Sequence, residues 1–125
     1  MAAGWRDRRT MTMDSAIFVR PSDSQWTPTD PGVRRRILTH NDQLMIVEFA
    51  FEQDAVGKLH NHPHIQASYV AEGSFEVTID GVTEVLSKGQ SFIVPSNAVH
   101  GVRALESGLL VDSFTPARQD FLTPA

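Results

Sequence analysis

From residue 33 onward, apolar positions recur in short runs separated by turn-forming residues. Residues 44–51, Leu-Met-Ile-Val-Glu-Phe-Ala-Phe, form an apolar run of strand length. Residues 74–79 alternate strictly, with Phe75, Val77 and Ile79 on one face and polar residues on the other. Asp80-Gly81 follows, a dipeptide favoured in two-residue hairpins because such turns need positive φ. Residues 82–86 read as the return strand and Lys88-Gly89 as the next turn. Residues 91–94 read as a strand stopped by Pro95, which has no N–H for a ladder. Residues 99–104 and 109–114 close the series. Helical periodicity is confined to residues 117–122, enough for a turn or two. Short strands at close spacing without intervening helices predict an all-β fold, an antiparallel sandwich or barrel.

The 125 residues are enough for one domain with a real core. The absence of cysteine excludes disulfides, thiolate metal sites and a cysteine nucleophile. No run approaches the ~18 apolar residues of a membrane span. Charge refines this picture. Residues 1–13 carry Arg6, Arg8 and Arg9 against Asp7, a net +2 that leaves −6 on residues 14–125 of the −4 total. An acidic body lacks the electrostatic footprint for nucleic acid or an anionic membrane. The one basic run, Arg34-Arg35-Arg36, alternates faces on a strand and makes no single patch. Residues 1–13 read as a disordered leader without a secretory apolar stretch, residues 14–32 as an irregular N-terminal arm and residues 33–122 as the β domain. The cytoplasm is the expected compartment.

The candidate chemistry lies in the histidines. His60 and His62 are two apart, so on a strand both imidazoles face one side, as a divalent cation requires of one rigid element. Pro63 should end the ladder and let the chain bulge, and Gln66 lies four residues beyond His62. A further ligand has to come from a distant strand, and His100, after the turn-like Pro95-Ser96-Asn97, is the best candidate. His64 reads as a supporting or solvent-facing residue and His40 as a turn residue. Tyr69 reads as a core or pocket residue, and Trp26 as cover for a neighbour's sheet edge in a dimer.

These residues belong to a longer pattern. His60-x-His62, three residues, Gln66, six residues and Gly73 resemble the first cupin motif. Gly89, five residues, Pro95, Ser96, Asn97, two residues and His100 resemble the second. Asn97 stands for the usual glycine and tolerates positive φ. Ala104 stands where asparagine is common, the leading glycine of the first motif is missing, and Gln66 replaces the usual glutamate. The resemblance implies a cupin fold, a double-stranded β-helix or jelly-roll barrel. A narrower resemblance, carried by His-Asn-His-Pro-His-Ile-Gln and the tail Val-Asp-Ser-Phe-Thr-Pro-Ala-Arg at 111–118, is to the single-domain cupins of pectin and alginate catabolism. It implies metal ligands at His60, His62, Gln66 and His100, and substrate residues at Asp112, Phe114 and Arg118. It further implies conversion of ring-form 4,5-unsaturated uronate into linear 5-keto-4-deoxyuronate by a homodimer.

A neutral glutamine ligand leaves a cation a stronger Lewis acid than a carboxylate would, which tilts the chemistry away from oxygen activation. Three imidazoles and an amide suit Zn, Ni, Fe or Mn. Asp112 and Phe114, two apart, share a strand face, so a general acid/base and an apolar wall enter the pocket together. Arg118 is the expected partner of the substrate carboxylate, and Phe114 is read as core more readily than as substrate wall. The competing readings are another cupin activity, a dioxygenase or lyase, and a non-catalytic metal or small-molecule binding module.

Overall fold

The computed structural model describes residues 17–123, so the leader expected over residues 1–13 lies outside the described residues. Ten strands follow in order: β1 Thr27–Asp30, β2 Val33–His40, β3 Met45–Phe51, β4 Val56–His60, β5 Ile65–Glu72, β6 Ser74–Ile79, β7 Val82–Ser87, β8 Ser91–Val94, β9 His100–Ala104 and β10 Gly108–Thr115. A 3-10 turn at Pro21–Asp23 precedes them, and a single helical turn, α1 (Gln119–Leu122), follows. The residues read as an N-terminal arm therefore contribute one edge strand, β1, which pairs with β2.

The strands form two antiparallel sheets, ordered β1-β2-β3-β10-β5-β8 and β4-β9-β6-β7. The expected closed barrel is not seen, because no ladder joins the two sheets among the described residues. Six corners carry the chain between the sheets: residues 52–55, 61–64, Gly73, 88–90, 95–99 and 105–107. The expected hairpin stands at Asp80 and Gly81, with φ of 48° and 82°.

Side-chain alternation fills the space between the sheets. Phe75 and Val77 of β6, Ala104 of β9, and Val33, Phe51, Val70 and Leu110 of the larger sheet make one buried cluster. Phe51 and Phe75 meet edge to face across it, with ring centroids 5.2 Å apart. Met45, Val47, Phe114 and Ala117 form a second cluster behind the candidate site.

Gly73 makes the corner between β5 and β6 possible. Its φ is +83°, and a Cβ there would lie 2.7 Å from the Ser107 carbonyl oxygen and 2.8 Å from the Gly108 Cα. Gly81 has a similar φ of +82° with nothing within 4 Å. Gly73→Ala is therefore expected to destabilise by more than the roughly 1–2 kcal/mol of left-handed strain alone. Gly81→Ala should pay only that strain. Equal melting temperatures for the two variants would refute the close-approach explanation.

Candidate metal centre and pocket

His60 ends β4, His62 lies two residues later in the irregular segment before β5, and His100 opens β9. The pairing of β4 with β9 sets His60 opposite His100. Shared strand parity is thus not what aligns His60 with His62, since the ladder ends between them. The Asn61–His64 bend turns His62 inward instead, and it is held there by Asn97 N–H donating to the His62 carbonyl at 2.8 Å. Asn97 makes that approach with φ of 66°, the conformation the motif reserves for glycine.

One nitrogen from each of the three histidines falls within 4.8 Å of the others. In each ring Nδ1 faces a backbone carbonyl: Lys58 at 2.8 Å from His60, His64 at 3.0 Å from His62 and Ala98 at 2.9 Å from His100. A carbonyl only accepts, so each Nδ1 carries the proton and each Nε2 keeps its lone pair for the site. This is the supporting arrangement that orients metal-binding imidazoles. His100 Nε2 is buried without a hydrogen-bond partner. Burial pushes the His100 imidazole down to about 4, and burial, followed by the Arg118 charge, also lowers His62. Both rings are thereby kept neutral, the form that binds metal.

Gln66 adds an oxygen. Its Nε2 donates to Ser68 Oγ at 3.0 Å and to Asp112 Oδ2 at 3.3 Å, which aims Oε1 at His62 Nε2, 3.0 Å away. Two lone pairs face each other there, an approach resolved when both bind one cation. The three imidazoles and the amide oxygen therefore fit a divalent metal, with the buried, unpartnered Nε2 of His100 as the clearest sign.

His60, Gln66 and His100 border a cavity of about 290 Å³ between the sheets, at the small end of ligand pockets. Asp112 enters from β10, 5% exposed, with Oδ1 buried and unpartnered. Burial raises its carboxyl from the ordinary 3.8 to about 7, against the lowering effects of a Ser68 hydrogen bond and the Arg118 charge. Phe114, two residues on, serves both as core and as pocket wall, with its ring 5.7 Å from that of His62. Arg118 also lines the cavity, but its Nε and one Nη donate to the two carboxylate oxygens of Asp120 at 3.0 and 2.9 Å.

The structure places other residues differently from their sequence reading. Tyr69 lies on the outer face of β5 and is half exposed, because its odd spacing from Gln66 puts it on the opposite side. His40 ends β2, and the turn that follows is made by Asn41, whose side-chain oxygen accepts from Gln43 and Leu44 N–H. Trp26 lies under the guanidinium groups of Arg34 and Arg36 of its own chain, and its expected cover of a neighbour's sheet edge stays a proposal about the assembly. Arg35, Ser68 and Phe121 were missed. The available signal for Arg35 was that strand parity turns it away from Arg34 and Arg36.

Residues 47–111 match the Cupin domain family, and the chain belongs to that family. Within it, the chain is 42% identical to the pectin degradation protein KdgF of Dickeya dadantii (strain 3937) over 102 residues, which cover 80% of this chain and 93% of that protein. The structure of KdgF from Halomonas sp. superposes with a TM-score of 0.81 at 38% identity, covering 86% of this chain and 99% of that one. An RmlC-like cupin from Shewanella frigidimarina NCIMB 400 superposes at 0.82 with 41% identity, covering 86% and 96%. Among the described residues, no helix is long and apolar enough to cross a membrane.

Proposed function

We propose that the protein is a metal-dependent isomerase that opens 4,5-unsaturated monouronates to linear 5-keto-4-deoxyuronates. The reading is carried by Asp112, a buried carboxyl poised near neutrality with one unpartnered oxygen, lining the same cavity as His60 and His100, two of the three converging imidazoles. Likeness to a pectin degradation protein supports the substrate class.

His60, His62, His100 and Gln66 would hold the ion, which when bound supplies Lewis acidity toward the sugar's oxygens. Asp112 does the proton work. Its Oδ2 is tied to Gln66, which leaves Oδ1 to accept the anomeric hydroxyl proton. As that proton leaves, the C1–O5 bond breaks and C1 becomes an aldehyde. The electron pair released onto O5 forms an enolate over C5 and C4, and Asp112 returns the same proton to C4. The product is a 5-ketone, with no atom gained or lost. Phe114 excludes water from that face of the cavity and so limits proton exchange with solvent.

The test is to incubate metal-loaded protein with unsaturated galacturonate and follow loss of its alkene absorbance. Turnover dependent on the ion is the expected result. Bound metal with no turnover of any uronate would replace this reading with that of a binding module.

A further inference from the structure

Three consecutive arginines on β2 have different surroundings. Arg34 and Arg36 close over Trp26, at 4.5 and 4.3 Å from its ring, and Arg36 also pairs with Glu48 at 2.6 Å. Arg35, turned the other way, lines the cavity shared by His60, His100 and Asp112. Its guanidinium lies 3.9 Å from the Phe121 ring centroid, and its Nε is buried without a hydrogen-bond partner. The Arg118 guanidinium lies 4.2 Å from the same ring and is already engaged by Asp120 on two nitrogens.

Two cations and one carboxylate thus meet around one aromatic ring on the cavity wall, while the cavity's Asp30 is already paired with Lys58 at 3.7 Å. The body of the chain is acidic overall, so this is a local excess of positive charge. Buried guanidinium donors are normally satisfied, and an unpartnered one on a residue that lines a cavity is suited to an anion that arrives with the ligand. Stacking on Phe121 fixes the plane of the fork. Arg118, by contrast, has spent its paired donors within the chain.

Building on the uronate reading, we propose that Arg35 binds the carboxylate of the substrate and makes the pocket select an acidic sugar over its neutral counterpart. Arg118 and Asp120 act as positioning residues that hold Phe121 and the charge balance around it. The grip expected of Arg118 from sequence is thereby transferred to Arg35 on β2.

The experiment compares metal-loaded wild type, Arg35→Gln and Arg35→Lys by calorimetric titration with D-galacturonate, a saturated uronate that cannot react, and with D-galactose. Arg35→Gln should weaken galacturonate binding about 10- to 100-fold and leave galactose affinity and metal content unchanged. On the unsaturated uronate it should raise KM more than it lowers kcat. Arg35→Lys keeps the charge without the fork, and should lose several-fold; it carries the test if the glutamine variant does not fold. Unchanged galacturonate affinity, or an equal loss for galactose, overturns the assignment of Arg35 while wild-type turnover leaves the uronate reading standing. A wild type that neither binds galacturonate nor converts the unsaturated sugar overturns both.

Discussion

His100→Ala is expected to abolish stoichiometric metal binding, and His60→Ala to do the same. Removing an outer partner of a metal ligand already costs about 10–100-fold in affinity, so losing a ligand itself should exceed that range. His100 is the more stringent case. It is 4% exposed, its Nε2 has no other partner, and its imidazole stays neutral down to about pH 4, so nothing in the fold competes for that lone pair. His60 is exposed and reaches the site from the end of β4, so its removal disturbs little packing. Metal content after exhaustive dialysis, measured beside circular dichroism to confirm folding, reads both variants. Stoichiometric metal retained in both would refute the ligand assignment.

Asp112→Asn should lower kcat by about 10²- to 10⁴-fold, the usual contribution of a positioned proton-transfer group, with metal content preserved. The amide keeps the size of the side chain and removes its basicity and its charge. The same substitution has a stability signature of opposite sign. Well below pH 3.8 the Asp112 carboxyl is protonated whether the chain is folded or not, and burial costs little. Between 3.8 and about 7 the folded chain binds more protons than the unfolded one, so stability falls as pH rises through that window. Above pH 7 the full penalty stands, on the order of 4 kcal/mol. Metal-stripped Asp112→Asn should therefore melt higher than metal-stripped wild type at pH 8, and the gain should vanish near pH 4. His100 titrates in both proteins and cancels from the comparison. A variant that loses turnover but shows no pH-dependent gain would place Asp112 in a solvated setting and remove the reason for its proton-transfer role.

How much of this was legible beforehand depended on how local each feature is. The alternation of Phe75, Val77 and Ile79 and the Asp80-Gly81 turn are satisfied within one hairpin, and both appear as read. The histidine spacings pointed to three imidazoles that do converge, although the mechanism differs at His62, which is turned inward by a bend beyond the end of β4. For Arg118 the sequence leaves open both a substrate grip and an ion pair. In the structure, Arg118 closes on Asp120, two residues away, a pairing that depends on the backbone after β10 bringing the two side chains together.

What the linear chain determined by itself was period and spacing: which side chains share a face, where turns fall, and that two separated stretches carry matched histidines. Backbone sterics set these over a few residues, so no knowledge of distant partners is needed. What only the tertiary structure decided was which faces meet. Strand β10 lies between β3 and β5, and β4 beside β9, pairings that span tens of residues. That arrangement buries Asp112 among groups too few to solvate its charge, and it brings Arg35 into a cavity with His100, 65 positions away in the chain. Both outcomes follow from removing charged groups from water, and the extent of that removal is set by packing between sheets rather than by any residue's neighbours in sequence.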